Sequence, residues 1–171
     1  MAPTPDVAPG QVSDGHAIVL WVPTIANPKA PTVAELTASG VLDLTYKLFG
    51  DGLDHQSEVT KNTSTRYTLA QELEFEGSEK DTLVLRYPYR GTEDDVVRLA
   101  LTRYTEGFLV ERLNLPKDTA IAADQLLSIV APVRCGKQRE IPRTKNTEIG
   151  KIQDLLPIGT VETDVKVVAG P

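Results

Sequence analysis

Cysteine is almost absent from this chain: Cys135 stands alone among 171 residues. A single cysteine excludes an intramolecular disulfide and a zinc site built from several thiolates of one chain, and the expectation is a soluble protein kept in a reducing compartment. Histidine is nearly as scarce, with only His16 and His55. Neither sits in a partner motif, so both read as solvated or edge residues. Long apolar runs are missing too. The longest, Ala17–Val22, is far too short to cross a bilayer. Residues 1–16, MAPTPDVAPGQVSDGH, contain neither Lys nor Arg and no apolar stretch, which is not the pattern of a secretory signal. GxSxG, HExxH and a Gly-rich phosphate loop are all lacking, and Gly136-Lys137 has no upstream glycine of the right spacing. GDGLDH at residues 50–55 resembles a calcium turn in one copy only, whereas calcium takes about six to eight oxygens. It reads as a polar loop. The triplet Asn62-Thr63-Ser64 has the form of a glycosylation acceptor, which has no meaning without secretion. With no acid–base pair and no ligand cluster, the expectation is a non-enzyme without cofactor or metal.

What is present is acidity, unevenly spread. The chain has 18 basic and 24 acidic residues, a net charge of −6 and a pI near 5.0. Bulk-charge binding to duplex DNA needs the opposite balance. Residues 132–151 nonetheless carry Arg134, Lys137, Arg139, Arg143, Lys145 and Lys151 against Glu140 and Glu148, a local +4 that leaves −10 for the remainder. No aromatic residues interleave with these cations, so a nucleic-acid surface is disfavoured. A contact with acidic neighbours is favoured, since the same chain carries Glu72, Glu74, Glu76, Glu79 and Asp81.

The length and 40% apolar content suit one domain with a sizeable core. Residues 1–15, with prolines and glycines and no periodicity, read as an extended arm, leaving one domain over 16–171. His16–Val22 reads as a strand stopped by Pro23. Thr32 caps a short helical turn at 33–37. Residues 41–49 alternate, with Leu42, Leu44, Tyr46 and Leu48 on one face. Residues 50–65 form a polar stretch, read as a long loop or a flexible extended hairpin. Residues 66–76 alternate again, with Tyr67, Leu69, Leu73 and Phe75 on the apolar side; residues 77–81 make a turn; and 82–89 is a strand bearing Leu83, Leu85, Tyr87 and Tyr89. A helix is expected over 92–105, with a Thr92/Asp95 capping box, an Asp94–Arg98 pair and a buried stripe of Val97, Ala100, Leu101 and Tyr104. Residues 108–113 are a strand and 114–124 a loop. Residues 126–135 form a strand with Leu127, Ile129, Ala131, Val133 and Cys135 inward, 136–145 an irregular basic segment, 147–156 a strand or a helix, and 161–168 a last strand. The fold class is mainly β (α+β): an antiparallel β-sandwich or partial barrel with one flanking helix.

Four segments in this order resemble the major tail (tail tube) proteins of long-tailed, non-contractile bacteriophages, especially those infecting actinobacteria. They are ANPKAPTVAELTASGVLDLT (26–45), EDDVVRLALTRYTEGFLVERL (93–113), DTAIAADQLLSIVAPVRCGKQREIP (118–142) and GTVETDVKVVAG (159–170). The resemblance implies a virion structural protein whose copies close into hexameric rings, with rings stacked into a tube assembled in the host cytoplasm. The implied partners are the chain itself, a tape-measure protein, and tail terminator and distal tail proteins. DNA passes through without specific binding, and no membrane is involved.

Under that reading the candidate residues fall into three sets. Glu72, Glu74 and Glu76, or else Asp43, Glu162 and Asp164, are expected on the lumen wall. A hexameric ring carries −36 formally, and an acidic wall repels phosphate. Asp51, Asp54, His55, Glu58 and Lys61, in the 50–65 segment, are expected to reach the next ring. Arg134, Lys137, Arg139, Arg143 and Lys145 are expected between subunits. The alternatives are a solitary sandwich that binds carbohydrate or protein, and the tube of a contractile tail or secretion apparatus.

Overall fold

A computed structural model describes residues 9–68 and 70–170. The first half of the expected arm, Leu69 and Pro171 lie outside the described residues. Residues 9–14 are exposed and lack regular structure. Eight strands form one antiparallel sheet: β1 (Ala17–Val22), β2 (Leu42–Asp43), β3 (Leu53–Ser64), β4 (Leu73–Pro88), β5 (Glu106–Leu113), β6 (Leu126–Glu140), β7 (Gly150–Pro157) and β8 (Glu162–Lys166). Their order is β2-β1-β5-β6-β7-β4-β3. Strand β6 is shared along one edge, since Leu126–Val130 pair with β8 and Val133–Glu140 with β7. Among the described residues two short helices accompany the sheet, α1 (Val33–Leu36) and α2 (Val96–Ala100). The mainly-β antiparallel expectation is met, and the sheet stays open.

Alternation along β1 explains how one sheet builds two cores. Val19 and Trp21 join Leu83, Leu85, Tyr87, Leu109 and Val133 on one side. Ile18, Leu20 and Val22 join Leu36, Val110, Val130 and Val167 on the other. α1 covers part of the second cluster, and its start matches the sequence signal. The Thr32 hydroxyl accepts from the Glu35 amide, and the Glu35 carboxylate accepts from the amides of Thr32 and Ala26. Partial desolvation works against the Glu35 charge, but these donors outweigh it and hold the carboxyl below its ordinary range.

Four expectations are corrected. Residues 41–49 do not form a full strand, because the Asp43 carboxylate accepts the Thr45 amide at 2.8 Å and turns the chain. Leu44 remains fully buried, while Tyr46 is exposed with the Lys117 ammonium over its ring. The helix expected over 92–105 is five residues long. Tyr104 has φ 73°, and residues 104 and 105 hydrogen-bond to Cys135 on β6, so sheet pairing ends the helix. Tyr104 is therefore exposed rather than part of a buried stripe. Asp95 does not complete a capping box with Thr92. Its carboxylate instead accepts from the amides of Arg90 and Gly91, and its ion-pair partner is Arg98 at 3.4 Å. The helix carbonyls are met from the sheet: Gln138 donates to Arg98 and Leu101, and buried Gln153 also donates to Leu101.

The third and fourth corrections share one cause, a glycine mistaken for the end of a strand. Gly77 does not turn the chain; β4 runs through it, and the hairpin turn lies nearer the tip, with Thr68 at φ 67°. Gly136 likewise sits inside β6, which continues to Glu140 instead of becoming irregular. Each glycine occupies a β-bulge. A Cβ at Gly77 would lie 2.7 Å from the Thr60 carbonyl oxygen, and one at Gly136 2.7 Å from that of Asp154. Only glycine lets the facing backbones approach this closely.

Candidate assembly interface

The polar stretch 50–65 is mostly strand. β3 pairs with β4 in register from Leu53↔Leu85 to Ser64↔Leu73. Strand β7 accompanies β4 only from Leu83 to Pro88. Beyond Leu83 the hairpin therefore leaves the sheet as a two-stranded ribbon, Gln56–Ser64 against Leu73–Thr82, exposed on both faces over nearly its whole length. Isolated two-stranded ribbons are marginal in water, and an unpaired edge of this length invites a partner. Leu73 and Phe75, expected on a buried face, are 45% and 55% exposed.

The Gly77 bulge sorts the ribbon's charges. Register shifts by one residue between Val59 and Lys61, so even-numbered Glu74 and Glu76 fall on the same face as odd-numbered Glu79 and Asp81. On the same face β3 carries His55, Ser57, Val59, Lys61 and Thr63. His55 Nε2 lies 3.0 Å from Asp81, the Ser57 hydroxyl donates to Glu79 at 3.0 Å, and Lys61 Nζ lies 3.0 Å from Glu74. The other face carries Leu73, Phe75, Lys80 and Thr82 with Glu58, Thr60 and Asn62. Straight alternation would have split the four acids between the two faces. Sequence reading grouped Glu72 with Glu74 and Glu76, but Glu72 precedes the strand. It missed the role of Gly77; the only signal was a lone glycine inside an otherwise alternating segment.

At the root of the ribbon, Asp51 pairs with Arg86 at 2.6 Å and Asp54 accepts from Gln56. Within the set Asp51, Asp54, His55, Glu58 and Lys61, only Glu58 and Lys61 stand on the free ribbon. Behind the root, Glu111 on β5 is desolvated, which pushes its carboxyl above the ordinary range against the pull of the Ser128 hydroxyl and nearby His55.

The other acidic set is dispersed. Asp43 is on edge strand β2, while Glu162 and Asp164 are on β8, where Lys29 lies 3.8 Å from Glu162. Burial opposes ionisation of Asp43, but Thr45, Lys117 and Lys47 outweigh it and keep the carboxyl low. The basic set divides in two. Arg134 pairs with Glu106 at 2.9 Å and Arg139 with both Asp154 oxygens at 2.7 and 2.8 Å. Lys137, Arg143 and Lys145 are exposed and form no ion pair among the described residues. Arg143 and Lys145 belong to the loop between β6 and β7, which borders a groove of about 560 Å³ floored by Phe49, Ile141, Pro142 and Ile152.

Nothing in these surfaces has the form of a reaction centre. Cys135 is buried, which pushes its thiol up to about 12, so it is protonated at neutral pH. No cluster of three or more His, Cys, Asp or Glu able to hold a metal occurs among the described residues. Arg112, fully buried on β5, donates to the carbonyls of Thr119 and Pro116 and to Gln125, fastening the 114–125 loop. A family model described as phage tail tube protein matches residues 4–170. The chain belongs to that family. Its role is structural, in the phage tail. No curated protein matches it. Among solved structures it is similar to a chain of the 6-fold symmetrised cryo-EM structure of the anti-feeding prophage (AFP) baseplate, at 12% identity and a TM-score of 0.47, covering 96% of this chain and all of that one. For this tail tube chain, an exposed ribbon and unpaired sheet edges become candidate contacts with further copies. No helix is long and apolar enough to cross a membrane among the described residues.

Proposed function

We propose that copies of this chain close into hexameric rings and that the rings stack into the tube through which the phage genome leaves the virion. Assembly proceeds around a tape-measure protein in the host cytoplasm, and terminator and distal tail proteins close the two ends. Family membership supports the tail role. The observation that carries the self-assembly is the free ribbon: an element of this length, exposed on both faces, reaches its stable form by contact with another copy. In this reading Asp43, Glu162 and Asp164 line the channel and keep phosphate from adhering. The ribbon and the unpaired cations Lys137, Arg143 and Lys145 serve contacts between copies.

Negative-stain microscopy of the purified chain across a concentration series tests the reading. Rings and tubes are expected. A strict monomer at every concentration contradicts it and favours a solitary binding domain. A reconstruction placing Asp43, Glu162 and Asp164 on the outer wall overturns the channel assignment alone.

A further inference from the structure

Aspartate followed by glycine occurs twice, at Asp14-Gly15 and at Asp51-Gly52. In this dipeptide the glycine amide nitrogen can attack the aspartyl side-chain carboxyl. Glycine has no Cβ to obstruct the approach or to restrict the backbone rotation that brings the two groups together. The two copies stand in opposite environments, so the fold decides which of them reacts.

At the root of the hairpin the peptide unit is locked. Gly52 is buried; its amide donates to the Phe49 carbonyl at 2.9 Å and its carbonyl accepts from the Arg86 amide at 2.8 Å. Its surroundings are close-packed, since a Cβ there would meet the Leu48 Cβ at 2.6 Å and the Arg86 carbonyl oxygen at 2.7 Å. The Asp51 carboxylate is occupied by the Arg86 guanidinium at 2.6 Å. Ahead of β1 the same unit is free. Asp14 and Gly15 are exposed, in the turn that joins residues 9–13 to β1. The His16 amide closes the turn onto the Ser13 carbonyl at 3.0 Å, and the Gly15 carbonyl accepts from the Lys117 amide at 2.8 Å. Neither bond engages the Gly15 amide. That amide and the Asp14 carboxylate have no hydrogen-bond partner among the described residues. Gly15 has φ 73° and open space around it.

We infer that Asp14 is a site of spontaneous conversion to isoaspartate, and that the fold protects Asp51 in the same dipeptide. The Gly15 nitrogen adds to Cγ of the neutral Asp14 carboxyl. The amide proton and the carboxyl hydroxyl leave as water, and a cyclic imide forms. Water then adds to either imide carbonyl. Opening at the former main-chain carbonyl leaves the chain running through the side-chain carbon. A methylene thereby enters the backbone, the mass returns to its starting value, and no oxidant or cofactor is consumed. The product alters the path by which residues 9–13 leave β1. It also moves a carboxylate at the cavity of about 440 Å³ that Asp14 lines with Phe49, Leu53 and Glu111.

Ageing the unassembled chain at mildly acid pH, folded and in guanidinium chloride, tests the inference independently of the tube reading. Trypsin places the two dipeptides in separate fragments, residues 1–29 and 48–61, and electron-transfer fragmentation locates isoaspartate within each. In the folded chain isoaspartate is expected at Asp14 on the order of tenfold faster than at Asp51, because a reaction at Gly52 must first break its backbone hydrogen bonds. In denaturant the two rates are expected to converge. Equal rates in the folded chain, a faster rate at Asp51, or no isoaspartate at Asp14 overturns the inference. A difference that persists undiminished in denaturant overturns its attribution to the fold. Asp14→Glu, whose longer side chain disfavours ring closure, should abolish the signal in fragment 1–29; a retained signal contradicts the assignment to Asp14.

Discussion

The same two strands live in two environments. Near its root, β4 has β3 on one side and β7 on the other, and Leu83, Leu85 and Tyr87 are buried. Past Leu83 it has β3 alone, and its large apolar residues face solvent. Root residues are placed where burial stabilises the monomer. Tip residues contribute little to it, so their apolar character and sorted charge call for another explanation, which assembly supplies. The bulge at Gly77 lies within the ribbon and turns an alternating sequence into a two-faced element.

Substitutions at the two ends of the hairpin sharpen this contrast. Leu85→Ala, at a site with no solvent exposure, is expected to cost the monomer about 2–5 kcal/mol. Phe75→Ala should stay within about 0.5 kcal/mol, as exposed sites do, while weakening tube formation. Denaturant unfolding of the unassembled monomer measures both; a loss at Phe75 comparable to that at Leu85 would erase the distinction. Gly77→Val places a Cβ against the Thr60 carbonyl and should unzip the ribbon alone. Hydrogen exchange is expected to show lost protection at Asn62 and Phe75 and retained protection at Leu83 and Leu85. Uniform loss along both strands would mean that root and tip form one unit.

Two smaller effects depend on pH. Partial desolvation opposes the Asp95 charge, but the Gly91 and Arg90 amides and Arg98 overcome it and hold the carboxyl below its usual 3.8. A lowered folded value means a stabilising charge at neutral pH that fades as pH falls through that value. Asp95→Ala should therefore lower the Tm at pH 7, with the gap closing below pH 3.8. Glu111 has the opposite sign. Its folded value is raised above the ordinary 4.5, so its ionisation at neutral pH costs stability. Glu111→Gln should raise the Tm slightly at pH 7 and change nothing below pH 4.5, where both forms are neutral. A Tm gain at acid pH would contradict the burial argument.

The inward rows Leu83, Leu85 and Tyr87 of β4 and Leu127, Ile129, Ala131, Val133 and Cys135 of β6 were legible because alternation is a local pattern. The Thr32 cap was legible for the same reason. The length of α2 was not, since pairing of residues 104 and 105 with β6 ends it and that contact is remote in sequence. The two bulges were misread because an isolated glycine marks both a turn and a close backbone approach. Among the candidate residues, the sequence showed that an acidic and a basic set exist. It could not show that Arg134 and Arg139 are already paired within the chain, nor that Glu74, Glu76, Glu79 and Asp81 share one face, because both depend on register across strands.

Removing the ribbon while keeping its root decides whether the ribbon belongs to assembly or to the fold. Gln56 and Thr82 are direct partners, so replacing residues 57–81 with a two-residue Asn-Gly turn closes the hairpin there. Cryo-electron microscopy beside thermal unfolding is expected to show a folded monomer with a Tm close to that of the parent and no tubes. Tubes of ordinary length and diameter from the shortened chain would contradict the assignment of the ribbon to assembly.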